Sequence, residues 1–206
     1  MALLEIVDLN HLPPAQAVLS TRETAFYERL KIPKRRTEWF GGRLALKKLL
    51  SKQTGLAFTA LDILAPDGVG KPSVTAGGTP VLIPFSITHS NGFAVAAIAP
   101  DAKYIGIDLE QITPRIGAWQ QDFFHPSELT ETTDAFLTRL WTQKEALVKL
   151  LGSGLTINSF DVRVVGEKPQ FLGRALEIYR GVGAPDITLE SPSLLPGFCF
   201  SIAVGV

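Results

Sequence analysis

The hydrophobic and polar positions along the chain divide it into a strand, two helical stretches, a run of strands, a further helix and a second run of strands. Ala2 to Leu9 reads as a β-strand. Pro13-Pro14 then opens a helical pattern through Leu19, Phe26 and Leu30. After Pro33 a longer one, Lys34 to Leu50, puts Trp39, Leu46, Leu49 and Leu50 on or near one face. Gly41-Gly42 inside it lowers helix propensity, and glycine there admits the close approach of a neighbour or a ligand. Residues 66–80, with Pro66-Asp67-Gly68-Val69-Gly70-Lys71-Pro72 and Gly77-Gly78, read as a turn-rich loop. Val81 to Thr88, Phe93 to Ala99 and Tyr104 to Leu109 read as strands, and the Asn91-Gly92 pair predicts a tight hairpin between the first two.

The order then repeats. Thr133 to Leu151 reads as a helix stopped by Gly152-Ser153-Gly154, followed by strands at 160–165, 174–180, 186–190 and 198–204. Gly92-Phe93-Ala94-Val95-Ala96-Ala97-Ile98-Ala99 is echoed 105 residues later by Gly197-Phe198-Cys199-Phe200-Ser201-Ile202-Ala203-Val204, and the same offset carries Arg36 to Trp141 in the other long helix. An α+β unit used twice, each a helix on an antiparallel sheet, accounts for this. Two apolar strands also resemble one another by chance, so the echo alone leaves both readings open.

Composition narrows the picture. Twenty Lys+Arg balance twenty Asp+Glu in 206 residues, and 46% of positions are hydrophobic. That apolar content suits a folded domain rather than a disordered chain. Zero net charge argues against coating nucleic acid by bulk electrostatics. The one cysteine, Cys199, lies in an apolar stretch and excludes an intramolecular disulfide, which points to a reducing compartment and a buried structural thiol. Met1 to Asp8 carries acids where a signal peptide needs a basic end, and the longest apolar run, Phe93 to Ala99, falls far short of the ~20 residues of a membrane helix. The expectation is a soluble, cytoplasmic protein with no membrane partner.

Four groups of residues are candidates for chemistry. In Gly106-Ile107-Asp108-Leu109-Glu110 the strand period puts Asp108 and Glu110 on one face and Ile107 and Leu109 toward the core. Two neighbouring carboxylates repel unless a cation lies between them, and hard oxygen ligands suit Mg²⁺ with phosphate oxygens. A solvated pair of acids is the plainer explanation for an Asp-x-Glu alone. In Trp141-Thr142-Gln143-Lys144-Glu145-Ala146-Leu147-Val148-Lys149, positions 141, 145 and 149 share a helical stripe, so Glu145 could supply a third carboxylate with Lys149 one turn on. An ordinary surface Glu–Lys pair explains that stripe equally well. Phe85-Ser86-Ile87-Thr88-His89-Ser90 ends a strand with a histidine among hydroxyls, placed to meet a ligand or merely to cap the surface. Lys31, Lys34, Arg35, Arg36, Arg43, Lys47 and Lys48 form a basic stretch in which Arg36 and Arg43 share a face; guanidinium groups grip phosphate, although a solvated basic face is the usual reason for such a run. The loop lysine Lys71 lies outside any Gly-x-x-x-x-Gly-Lys-Ser/Thr pattern.

Taken together and in this order, the segments from about Lys34 to Leu155 resemble the Sfp-type 4′-phosphopantetheinyl transferases. Gly106-Ile107-Asp108-Leu109-Glu110 and Trp141-Thr142-Gln143-Lys144-Glu145-Ala146-Leu147-Val148-Lys149, the latter followed by Gly152-Ser153-Gly154-Leu155, carry the resemblance most specifically, with Gly70-Lys71-Pro72 and Thr88-His89-Ser90 upstream. The resemblance implies a pseudo-two-fold α+β fold, with halves at 1–102 and 103–206 and the active site at their interface. It implies transfer of the 4′-phosphopantetheine arm of coenzyme A to a serine of an apo acyl or peptidyl carrier protein, with release of adenosine 3′,5′-bisphosphate. Asp108, Glu110 and Glu145 would hold Mg²⁺, for which Mn²⁺ could substitute. Lys149 would stabilise or protonate the leaving phosphate, and either Glu145 or Glu128 would take the serine proton. Arg36, Arg43, Lys71, Thr88 and His89 would join Lys149 in holding coenzyme A. By the same resemblance the protein is a monomer.

A Mg²⁺-dependent nuclease would use similar acids but needs a broad basic surface, and a coenzyme A-binding or carrier-docking module that has lost catalysis would not need all three carboxylates and Lys149. The neutral total also conceals polarity. Residues 22–48 hold nine Lys/Arg against three Glu, and residues 101–134 hold seven acids against two bases.

Overall fold

The computed structural model describes residues 1–65, 70–115 and 117–206. It is an α+β protein whose sheets are antiparallel, and it divides into two compact units, Met1–Pro100 and Asp101–Val206.

In the first unit β1 (Leu3–Asp8), β5 (Phe85–Ser90) and β6 (Phe93–Ile98) form a sheet in the order β1-β6-β5. The long helix α2 (Pro33–Thr54) packs on it. Pro33 at the helix start fits a position whose N–H needs no partner. Gly41 and Gly42 admit a neighbour rather than a ligand: a Cβ on Gly41 would lie 2.0 Å from Leu9 Cδ2, and one on Gly42 2.7 Å from Ile87 Cγ2. Asn91 and Gly92 take positive φ of 34° and 89°, the backbone a tight right-twisted hairpin requires. Leu46, Leu50, Leu61, Ile63 and Ile98 are fully buried in the core.

The helical pattern expected from Pro13 is broken. It becomes one 3-10 turn at Ala15–Ala17 and a short helix, α1 (Thr21–Tyr27). Ser20 interrupts it because its side chain accepts from Glu23 N while Glu23 reaches back to Ser20 N, a capping box that starts a new helix. The strand expected from Val81 begins only at Phe85, after Pro84. Of the expected 66–80 loop, residues 66–69 lie outside the described residues. The rest contains β3 (Ser73–Ala76) and β4 (Thr79–Pro80) paired about Gly77-Gly78, and β3 pairs in turn with β2 (Leu61–Leu64).

The second unit runs through the same order. β7 (Tyr104–Gln111), β10 (Ile187–Glu190) and β11 (Phe198–Gly205) form a sheet in the order β10-β11-β7. α4 (Asp134–Leu151) packs on β7 and β11, and β8 (Val162–Val165) pairs with β9 (Lys168–Phe171). A short α3 (Gly117–Phe123) precedes α4. The strand expected at 174–180 is instead helical, α5 (Gly173–Gly181). Buried Ala175 with Ile178, Tyr179 and Val182 packs one helical face into this unit's core, a spacing of three and four that outweighs the β-branched and aromatic content of the segment.

The registers make the repeat explicit. Phe93 on β6 pairs with Asp8 on β1, and Phe198 on β11 pairs with Gln111 on β7. Counting along both ladders sets Glu5 against Asp108 and Val7 against Glu110. A buried clamp repeats as well. Lys47 of α2 donates to Glu23 Oε2 (2.5 Å) and to Val18 O (3.0 Å), while Ile63 N on β2 donates to Glu23 Oε1 (3.0 Å). Lys144 of α4 donates to Glu128 Oε2 (2.9 Å) and to Phe123 O (3.0 Å), while Val164 N on β8 donates to Glu128 Oε1 (2.9 Å). With Lys47 placed on Lys144, Lys48 falls on Glu145 and Lys52 on Lys149; the helices thus repeat at a shorter offset than strands β6 and β11, and Leu44 rather than Arg36 falls on Trp141.

Candidate active site

The second unit gathers the acids on β7 against α4. Gly106 sets the separation of strand and helix: a Cβ there would lie 2.0 Å from Ala146 O and 2.4 Å from Leu150 N. The α4 backbone therefore rests on the strand, and by the two-residue strand period Asp108 and Glu110 share that helix-facing side. Ile107 and Leu109, expected toward the core, are fully buried on the opposite side, and the core packed beneath α4 lies on the Gly106 face instead.

Asp108 is 5% exposed, and its Oδ1 accepts a charge-assisted hydrogen bond of 2.6 Å from Lys149 Nζ. Glu145, half-buried one helical turn before Lys149, has its pKa raised, first by burial and then by the negative charges of Asp108 and Glu110, with Lys149 opposing. The four side chains thus form one electrostatic group in which two carboxylates disfavour the ionisation of Glu145 and one ammonium favours it. Behind Asp108, Ser201 on β11 is its ladder partner, and the Ser201 hydroxyl meets Thr142 Oγ1 (2.8 Å) and Ser191 Oγ (2.9 Å), with Gln143 Nε2 donating to Ser191 Oγ (3.1 Å). Sequence reading missed this polar layer; Thr142 and Gln143 within the quoted helix motif were the signal that could have found it.

Among the described residues no three His, Cys, Asp or Glu side chains converge as a ready metal cage. The donor chemistry of Asp108, Glu110 and Glu145 nevertheless fits a hard cation: all are carboxylates, and the raised Glu145 marks a concentration of negative charge that a divalent ion would relieve. Lys149 shares Asp108 with any such ion.

Glu128 belongs to a different group. It is buried in a 3-10 turn at Pro126–Glu128, where it accepts from His125 N (2.8 Å), from Val164 N and from Lys144 through both oxygens. Desolvation lowers the Lys144 pKa and Glu128 opposes that shift. A carboxylate with this many donors is held as a structural tie.

The other residues expected to contact a phosphate-bearing ligand lie in the first unit. Arg36 stacks its guanidinium over Tyr27, 4.1 Å from the ring centroid, and Arg43 stacks over Trp39 at 4.0 Å, with Nε donating to Ile63 O (3.4 Å). Burial lowers the Arg43 pKa to about 10, against the pull of Glu23, so it stays a cation at neutral pH. Thr88 is buried on β5. His89 beside it is exposed, its Nδ1 3.8 Å from Glu38 Oε1. Lys71 is exposed just before β3. Cys199, expected to be a buried structural thiol, is half-buried on β11, and burial raises its pKa, so it stays protonated at neutral pH.

Comparison with known proteins places these motifs. Residues 104–177, which span β7, α4 and the β8–β9 hairpin, match the model of the 4′-phosphopantetheinyl transferase superfamily. The chain is 30% identical over 135 residues to the 4′-phosphopantetheinyl transferase psf-1 of Bacillus pumilus, an alignment that covers 60% of this chain and 54% of that protein. It is 34% identical over 90 residues to the transferase Sfp of Bacillus subtilis (39% of each chain) and 26% identical over 184 residues to HetI of a Nostoc species (81% of this chain, 73% of that one). Among solved structures, the Chronobacterium ammoniagenes ACPS–CoA complex aligns with a TM-score of 0.41 at 19% identity, covering 49% of this chain and 94% of that one. The chain spans about half the length of psf-1 and less of Sfp. The resemblance to Sfp-type 4′-phosphopantetheinyl transferases is thereby borne out.

Proposed function

We propose that the protein is a 4′-phosphopantetheinyl transferase that moves the phosphopantetheine arm of coenzyme A onto a serine of an apo acyl or peptidyl carrier protein. The observation that supports this best is the group on β7 and α4: Lys149 paired with Asp108 at 2.6 Å, and Glu145 raised by burial, Asp108 and Glu110, all inside the segment that matches the superfamily. In the proposed reaction the serine Oγ bonds to the β-phosphorus of coenzyme A, and the bond from that phosphorus to the bridging oxygen breaks. Adenosine 3′,5′-bisphosphate leaves with the bridging oxygen.

Mg²⁺, with Mn²⁺ able to replace it, would be held by Asp108, Glu110 and Glu145 and would neutralise the pyrophosphate. Glu145 is the proposed general base, taking the serine proton directly or through a water. Glu128, occupied by Lys144 and two backbone N–H groups, is assigned to holding α4 in place. Lys149 supplies positive charge, or a proton, to the leaving oxygen. Arg36, Arg43, Lys71, Thr88 and His89 are the proposed coenzyme A contacts of the first unit. No described helix is long and apolar enough to cross a membrane. The proposal includes a cytoplasmic monomer that binds neither nucleic acid nor membrane.

Incubation with coenzyme A, Mg²⁺ and apo carrier proteins, followed by intact-mass spectrometry, tests the reading. A phosphopantetheine mass increase on the carrier serine is expected. No increase on fatty acid, polyketide or nonribosomal peptide carriers would overturn it.

A further inference from the structure

The polar layer behind Asp108 is replaced by aliphatic side chains in the first unit. In the second unit Thr142 and Ser201 are fully buried, Gln143 is 6% exposed, and Ser191 directly follows β10. Placing Lys47 on Lys144 sets Ala45 on Thr142 and Leu46 on Gln143. Glu5 pairs with Ala96 as Asp108 pairs with Ser201, so Ala96 stands where the second unit has Ser201. Ile87 of β5 pairs with Ala96, the place that Ser191 takes one residue beyond the Glu190–Ile202 pair. Ala45, Leu46 and Ala96 are fully buried, and Ile87 packs on the same core. The framework therefore closes here with apolar groups alone, and the fold by itself does not call for buried hydroxyls and an amide.

The hydrogen bonds of the layer run in one direction. Each hydroxyl has a single proton. Thr142 Oγ1 donates its own to Arg139 O (2.8 Å), so the 2.8 Å bond between Ser201 and Thr142 is donated by Ser201. That commits the Ser201 proton, and Ser191 donates the 2.9 Å bond between the two serines. Ser191 in turn accepts from Gln143 Nε2 (3.1 Å). Every hydroxyl from Gln143 to the Arg139 carbonyl thus gives one bond and takes one, the fully satisfied state in which a buried network rigidifies its surroundings.

Hydrogen bonds fix direction as well as distance, whereas apolar contacts are non-directional. The chain ties Thr142 to β11 and Gln143 to the segment after β10, and Lys144 ties the next residue to Glu128. Successive residues of a helix point about 100° apart. Three attachments in a row therefore fix both the rotation of α4 about its axis and its slide along the sheet. Glu145 comes next, and Lys149 lies one turn beyond it, 2.6 Å from Asp108.

We propose that Thr142, Gln143, Ser191 and Ser201 are positioning residues, which set the rotation of α4 so that Glu145 and Lys149 meet Asp108. This role rests on the transferase reading, since it acts on the reaction only through Glu145 and Lys149.

The test replaces the chain by apolar groups of similar shape, with Thr142→Val, Gln143→Leu and Ser201→Ala combined. Ser191 is exposed and can turn to water. Removing the buried partners together leaves no buried hydroxyl unmet, so Tm should equal or exceed that of wild type. Transfer per folded molecule should nevertheless lose about 10–100-fold in kcat, with KM for coenzyme A and carrier unchanged. A crystal structure of the variant should show Lys149 Nζ drawn away from Asp108 Oδ1 by about 1 Å or more. Thr142→Ser, which keeps the hydroxyl, should retain most of the wild-type kcat. If the triple variant fails to fold, Ser201→Ala alone decides by the same two measurements. A wild-type protein without transfer activity would overturn the transferase reading and leave the displacement of Lys149 to decide the positioning. Unchanged kcat, or Lys149 still 2.6 Å from Asp108, in a folded variant would overturn the proposal, because the layer would then serve packing alone.

Discussion

In the first unit Glu5 of β1 meets Lys48 and Lys52 of α2, at 2.9 and 3.7 Å. At the same register of the second unit Asp108 of β7 meets Lys149 of α4 at 2.6 Å, while Glu145 takes the place of Lys48 and Glu110 that of Val7. The scaffold, the register and the buried lysine–glutamate clamp are common to both. Two positions therefore separate a neutral-to-basic pairing from a cluster of three carboxylates. Strand pairing and helix packing place side chains, and a short list of substitutions on that framework decides whether the place attracts a cation or an anion. The clamp is what allows this: it fixes the helix on each unit through groups one position away from the ones that differ.

The largest effect that would break the comparison is on transfer. Asp108→Ala and Glu145→Gln should each lower the rate by at least about 10²–10³-fold, with far-UV circular dichroism unchanged. Glu5→Gln and Lys48→Gln, at the equivalent places, should leave the rate within a few-fold of wild type. Equal losses at both sets of positions would show that the two sites are not functionally distinct.

The clamps come next, and here the two units should behave alike. Replacing one member of a buried, hydrogen-bonded ion pair leaves the other charge uncompensated, at a cost of about 3–5 kcal/mol. Glu23→Gln and Glu128→Gln should both lower Tm strongly in differential scanning calorimetry. Glu128→Gln adds a decisive measurement, because transfer per folded molecule separates a tie from a base. A loss comparable to that of Glu145→Gln, at a temperature where the variant is folded, would move the role of base to Glu128.

Much of this was legible in the chain and some of it was not. Asp108 and Glu110 share a face because a strand alternates, and Glu145 and Lys149 share one because a helix turns; both facts depend only on local period. The Asn91-Gly92 turn was readable because few residues accept its positive φ. Tertiary pairing accounts for what was missed. Lys47 read as a surface charge in a basic stretch, yet it and Glu23 are fully buried, since the desolvation of each is offset by a partner 24 residues away in sequence. Glu128 was a candidate base for the same reason: nothing local announces Lys144 and Val164 N as its partners. The segment 174–180 shows the remaining failure, a short amphipathic helix whose aromatic and β-branched content mimics a strand.

Glycine gives a milder contrast between the units. Gly106→Ala would drive a methyl group into the α4 backbone at Ala146 O, which cannot swing aside, whereas the methyl of Gly41→Ala meets the flexible end of Leu9. Gly106→Ala should therefore lower transfer by shifting Glu145 and Lys149 relative to Asp108. A rise in KM with kcat preserved would contradict that, since misplacement of catalytic groups acts on the transition state.

The smallest effect is also the most specific to the difference between the units. The folded-state pKa of Glu145 lies above its ordinary value, because burial and two neighbouring carboxylates disfavour its charge. An acid raised in this way favours the folded state while it is protonated, and that contribution is lost as pH rises through its folded pKa. Glu145→Gln, which cannot ionise, should thus be more stable than wild type at neutral pH, and the Tm gap should close as pH falls below the ordinary glutamate range. Lys48→Gln in the first unit has no such carboxylate cluster to relieve and should show no gap of that form. Thermal melts of both variants across the pH range decide it: a gap that stays constant with pH would mean that the acids around Glu145 do not strain one another, and the cation-binding reading would lose its electrostatic basis.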